Sequence, residues 1–222
     1  EEKELSALII ADLSRSMEFA SVQQSKRELL VLVAATLAFS AASDNMKVGM
    51  LAFTDAIELD LPLRKGSGQT WKIVESLWDA EPRSARTNFL VPLEHLDTKL
   101  KRSTLLFFIS DFINAETIFA SHALKRLAQK HDLVPVIVED GWEEALPEGR
   151  GFLRLHDAEM GGAMILNLSR KKRDLYGSLM RERRVVLERS LYNLNLDHLF
   201  LRAGKPYLDT VIGFFLTRKR RR

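Results

Sequence analysis

Asp12, Ser14 and Ser16 stand at alternate positions in "LIIADLSRSM" (8–17), directly after an apolar run. A carboxylate followed so closely by two hydroxyls either caps a helix or gathers oxygens around a cation. A second acid, Asp111, closes another apolar run, "STLLFFISD" (103–111), and Thr87 lies in the loop "EPRSARTN" (81–88), just ahead of a helical stretch. The five candidates offer oxygen donors only, without His or Cys. Such a set favours hard cations, Mg²⁺ first and Mn²⁺ or Ca²⁺ after it. Mg²⁺ takes six oxygens at about 2.0–2.1 Å and keeps some of its waters. Two serines, a threonine and one or two carboxylates therefore leave a position that an incoming carboxylate can fill.

The elements that must bring these residues together are legible in outline. "LSALIIA" (5–11), "STLLFFISD" and "LVPVIVED" (133–140) are short, nearly continuous apolar runs, as expected of strands covered on both faces. Pro135 weakens the third. From about 21 to 42 the pattern turns helical, with Leu29, Leu30, Val33, Leu37 and Ala41 along one stripe. "MKVGMLAFTDAIELDLPL" (46–63) reads as two strands joined at Thr54-Asp55, hence an antiparallel pair. Helices are expected at about 70–78, 89–100 and 115–130. This order predicts an α/β fold: a doubly wound, mostly parallel sheet with one antiparallel edge strand and helices on both faces. Parallel strands joined by right-handed crossovers place their C-terminal ends on one edge. Asp12 and Asp111 then share that edge, with the loop carrying Thr87 beside them.

The remainder is less regular. "GFLRLHD" and "AMILNL" flank "AEMGG" and predict an inserted β-hairpin at about 151–168, whose tip carries Asp157 and Glu159. A long charged helix is expected at about 169–193, a last strand in 196–204 and a last helix in 206–216. No repeat or linker divides the chain, so one domain over 1–222 is expected. "RKGSGQT" lacks the Gly-Lys-Ser/Thr ending of a phosphate loop and follows no buried parallel strand. Trp71 and Trp78 are expected in a core or satellite cluster. His95, His122, His131, His156 and His198 show no metal-ligand spacing.

The bulk properties fit a domain with a real core: 222 residues, 46% hydrophobic and 28% charged. With no cysteine, disulfides and thiolate metal sites are excluded. No apolar run approaches the roughly 20 residues that span a bilayer, and no signal-peptide pattern opens the chain. The expected location is cytoplasmic, with membrane attachment left to segments outside this chain. Net charge is only +3, but "SRKKRD" (169–174), "RERR" (181–184) and "RKRRR" (218–222) concentrate base near the C-terminus.

"DLSRS", a distant Thr and a distant "SD" resemble the metal-ion-dependent adhesion site of von Willebrand factor A-type domains, whose Asp-x-Ser-x-Ser, Thr and Asp match Asp12, Ser14, Ser16, Thr87 and Asp111. "ADLSRSM", "RTNFLVPL", "LLFFISDF", "LVPVIVEDGWEEALPEGRGFLRLHDAEMGG" and "FFLTRKR" resemble one bacterial branch of these domains, domain-of-unknown-function family number fifty-eight. The resemblance implies a von Willebrand A-like fold and a Mg²⁺-dependent site. It also implies a non-enzymatic interaction module that takes an acidic residue from a protein partner. Genes of that branch commonly neighbour MoxR-type AAA+ ATPases, which makes such an ATPase, or a client it remodels, the expected partner.

Two rivals remain open at this point. A metal-dependent phosphoesterase needs a second metal or a general base beside the first, and no such group is mapped to the edge loops. A nucleic-acid or anionic-surface binder would use the basic C-terminal third, but aromatic residues for stacking are not interleaved there, and no nucleic acid is expected.

Overall fold

The computed structural model of the chain describes residues 5–148, 151–156 and 163–221. Strand β1 (Ser6–Asp12) is followed by a short 3-10 turn and then by helix α1 (Lys26–Ser43). α1 starts five residues later than the apolar stripe predicts because Ser25 and Glu28 form a reciprocal capping box that fixes the first turn. β2 (Lys47–Phe53) and β3 (Ile57–Arg64) form the expected hairpin, with an irregular register around Gly49. A Cβ at Gly49 would lie 2.9 Å from the Leu61 carbonyl oxygen and 3.1 Å from the Leu63 nitrogen, so the two strands approach too closely there for any side chain.

α2 (Ser67–Trp78) and α3 (Leu90–Lys99) lead to β4 (Leu105–Ser110). The helix expected at 115–130 is broken in two, α4 (Glu116–Ala120) and α5 (His122–Lys130), because Ser121 leaves helical geometry and caps α5 through the Leu124 N–H. β5 (Asp132–Glu139) contains Pro135, which is tolerated because pairing with the strand beyond begins only at Val136. β6 (Phe152–His156) and β7 (Ala163–Asn167) form a separate antiparallel pair; "AEMGG", with Glu159, and Asp157 lie outside the described residues. α6 (Arg170–Asn193), β8 (Leu199–Arg202) and α7 (Leu208–Arg221) complete the chain.

The main sheet runs β3-β2-β1-β4-β5-β8, parallel throughout except for β3. This is the expected doubly wound arrangement. Alternate residues of the same strand feed two cores, which is why β1 reads as continuously apolar. Ala7, Ile9 and Ala11 pack with Leu30, Val33 and Leu37 of α1 and with Ile73 and Leu77 of α2. Leu8 and Ile10 pack with Leu93 and Leu96 of α3 and with Leu124 and Leu127 of α5. Trp71 and Trp78 are not core residues: they are 63% and 65% exposed, because α2 turns Ile73 and Leu77 inward, and Trp71 meets Phe39 edge-on. Among the described residues, no helix is long and apolar enough to cross a membrane.

Candidate metal centre

β1 stands where the strand order reverses: the chain passes first to β2 on one side and later to β4 on the other. In doubly wound sheets a crevice opens at such a point, outside the carboxyl ends of the strands. Asp12 is the last residue of β1, and Asp111 directly follows β4. The register that pairs Ala11 with Ile109 brings Ser110 beside Asp12, and its hydroxyl donates to Asp12 Oδ2 at 2.6 Å. The Ser14 N–H donates to Asp12 Oδ1 at 2.9 Å, folding the loop back so that Ser14 Oγ lies 3.2 Å from Ser16 Oγ. Asp12, Ser14, Ser16 and Asp111 are all buried.

Thr87 reaches the same edge through its backbone neighbours. The Arg15 N–H donates to the Ala85 carbonyl at 3.0 Å, and the Asn88 N–H donates to the Thr54 carbonyl at 3.1 Å. The loop is thus tied both to the "DLSRS" segment and to the end of β2, with Thr87, half-buried, between the two ties.

Asp111 is held by a strained turn. Phe112 has φ 50°, a left-handed conformation costly for a bulky residue. The Phe112 N–H donates to Ser110 Oγ and the Ile113 N–H to Asp111 Oδ1, both at 3.0 Å. The Phe112 ring stacks on Phe89 at 5.8 Å and also meets Phe108 and Phe119. Aromatic packing supplies the stabilisation that keeps this turn in place and aims Asp111.

Two charged residues that sequence reasoning missed complete the site. Lys26, the first residue of α1, is 0% exposed. Its Nζ donates to Asp111 Oδ2 at 2.7 Å and also to Glu143 Oε1. Glu143 lies in the short 3-10 turn after β5, where its other oxygen accepts the Asp140 N–H and Asp140 in turn accepts the Ser21 N–H, both at 2.9 Å. Burial works against the Lys26 charge, but Asp111 and Glu143 more than offset it and hold its pKa above the ordinary lysine value. Nothing in the sequence singles out Lys26; the contact with the turn after β5 becomes visible only in the fold. The basic C-terminal third also comes close: Arg183 of α6 reaches the Asp111 carbonyl at 3.5 Å. Other basic residues there are engaged internally, Arg184 with Glu139 and Glu188, and Arg218 with Asp132 and Asp197.

The donor chemistry fits a hard cation. Burial, and then the adjacent Asp111 carboxylate, push Asp12 up to about 7 from an ordinary 3.8, while hydrogen bonds from Ser110 and Ser14 pull the other way. A buried carboxylate whose ionisation its neighbour disfavours, flanked by paired hydroxyls, belongs to a set that a divalent ion would satisfy. Asp12, Ser14, Ser16, Thr87 and Asp111 are the residues that would hold it. Among the described residues, no group of three or more His, Cys, Asp or Glu is placed to hold a metal, so any such site depends on its hydroxyls.

A family model described as "Protein of unknown function DUF58" matches residues 1–186. The uncharacterised protein Rv1480 of Mycobacterium tuberculosis is 24% identical over 221 residues, covering 99% of this chain and 69% of that protein. Among solved structures, the conserved hypothetical protein BatB from Bacteroides thetaiotaomicron superposes with a TM-score of 0.58 at 16% identity, over 97% of this chain and 98% of that one. An aerotolerance-related membrane protein from Bacteroides fragilis gives 0.55 at 14% identity, over 89% and 91%. At these identities the structural likeness speaks to fold.

Proposed function

The chain belongs to the DUF58 family of proteins of unknown function, with a fold of the von Willebrand factor A type, and on that premise we propose that it is a non-enzymatic, Mg²⁺-dependent protein-interaction module. One observation carries this reading: Asp12 and Asp111 meet at the switch point of the sheet beside the paired Ser14 and Ser16 hydroxyls. A divalent ion held there by few carboxylates and several neutral hydroxyls keeps positive charge and can accept an outside carboxylate. An Asp or Glu of a protein partner is that ligand. A MoxR-type AAA+ ATPase, or a client that it assembles, remodels or loads with metal, is the partner this reading favours.

A phosphoesterase would need a base besides the groups that hold the cation. Among the described residues, the carboxylates around Asp12 already serve as ligands or as partners of Lys26. The anionic-surface reading is weakened because Arg184 and Arg218 are spent on internal acids. The test is capture of a MoxR-type ATPase by the immobilised chain, at low and high salt, with Mg²⁺ or with EDTA. Capture should require Mg²⁺, survive salt, and weaken in Ser14→Ala and Ser16→Ala without loss of fold. Capture that ignores EDTA yet collapses in salt would transfer the function to the basic surface.

A further inference from the structure

A buried lysine beside two carboxylates is an unusual neighbour for a cation site, since it brings charge of the same sign as the ion. Lys26 is enclosed on every side, and its ammonium lies between Asp111 and Glu143. Asp111 Oδ1 already accepts a backbone N–H, so Lys26 holds the carboxylate's other oxygen. Glu143 is anchored independently, through the Asp140 N–H, and keeps a second carboxylate on the ammonium if Asp111 turns away.

We propose that Lys26 is the resident cation of this site: it neutralises Asp111 while no metal is bound, competes with the divalent ion for that carboxylate, and is retained by Glu143 when the ion arrives. The proposal rests on the metal-binding reading above and deepens it by naming the residues that set the site's affinity. Lys26 and Glu143 are positioning residues in this scheme, since neither is a ligand of the ion. They act in opposite directions. Lys26 weakens divalent binding by repulsion and by occupying Asp111. Glu143 strengthens it by drawing the ammonium off and adding negative charge. A unit charge about 6 Å from a divalent ion changes its affinity by about tenfold even at the dielectric constant of water, and by more in a buried site. A site tuned in this way exchanges its metal readily and does not collapse without it.

The experiment is Mn²⁺ titration, followed by electron paramagnetic resonance and calorimetry, on the wild-type chain, Lys26→Met and Glu143→Gln. Thermal melts accompany each titration. Lys26→Met should bind Mn²⁺ about tenfold or more tightly. Its metal-free form should melt lower, because the buried Asp111 and the half-buried Glu143 lose their counter-ion, and Mn²⁺ should restore more of its melting temperature than it adds to the wild type. Glu143→Gln retains the hydrogen bond to Asp140 and so guards against a misfolded methionine variant; it should bind Mn²⁺ about tenfold more weakly. Binding by Lys26→Met but not by the wild type would also support the proposal. Affinities within twofold of wild type in both folded variants would overturn it, as would weaker binding in Lys26→Met. Absence of Mn²⁺ binding in all three chains would refute the metal-binding reading itself, a distinguishable outcome.

Discussion

Replacing Asp12 by Asn should stabilise the metal-free fold while removing its use for a cation. Asp12 is fully buried, and burial together with Asp111 pushes its carboxylate up to about 7 from 3.8. A folded-state pKa above the unfolded value means that the folded chain holds the proton more tightly. The stability linked to that proton is present in full below about pH 4 and is lost as pH rises through about 7. At about 1.4 kcal/mol per unit, a shift of roughly three units sets ~4 kcal/mol as the upper limit of what ionised Asp12 costs the metal-free protein at pH 8. Asn keeps the shape and drops the charge. Its oxygen can accept the Ser14 N–H as Asp12 does, at 2.9 Å, but its amide must donate to Ser110, whose hydroxyl now donates to Asp12. Turning that hydroxyl costs about 1 kcal/mol. The net gain should be about 1–3 kcal/mol at pH 8, or roughly 2–10 °C in Tm for a chain of this size. Calorimetric melts in EDTA at pH 8 and pH 5 measure it. The advantage should shrink towards zero at pH 5, where wild-type Asp12 carries its proton, and Mg²⁺ should raise the wild-type Tm only. An Asp12→Asn chain no more stable than wild type at pH 8, or an advantage unchanged at pH 5, would refute the reasoning.

Asp111→Ala should weaken Mg²⁺ or Mn²⁺ binding about a hundredfold or more, since it removes one of two carboxylates from the donor set; calorimetry with unchanged affinity would sink the assignment. Metal binding must displace the proton on Asp12, so apparent Mg²⁺ affinity should drop by up to about tenfold per unit below pH 7 and level off above it; a flat profile from pH 8 to pH 6 would contradict this. Gly49→Ala should lower stability by about 1–3 kcal/mol, because the new methyl meets backbone atoms of β3 as well as the Leu8 side chain. Chemical denaturation with an unshifted midpoint would show that the β2–β3 pair can part at that point.

The sheet was largely readable because its strands are buried on both faces. Runs such as "SALIIA" and "LLFFIS" are too short for a buried helix and too apolar for a loop, and each leads into the acid that marks the sheet edge. Asp12, Ser14 and Ser16 were legible for the same reason, as polar residues where the apolar pattern stops. What could not be read depends on contacts between distant segments. Lys26 carries no mark in the sequence, and its partner Glu143 lies 117 positions away. Trp71 and Trp78 misled because large aromatic residues at helical spacing imply a buried face, whereas α2 buries Ile73 and Leu77 instead. The break at Ser121 is a local competition that periodicity alone does not reveal: a hydroxyl that caps one helix ends the one before it.

The hydrogen bond from Ser110 to Asp12 spans 98 positions of chain. β1 is therefore made early and completed late. A growing chain that has emerged only as far as β3 holds "DLSRS" but neither Ser110 nor Asp111, so the acid at the end of its central strand has no one to answer it. Non-local pairing of this kind is slow to form, and the edge where the ligands meet comes into being only when β4 slots in against β1. A cation cannot nucleate such a fold, because the place that would hold it does not yet exist. A bound cation would act afterwards, as a clasp on a finished object, slowing its opening rather than hastening its making.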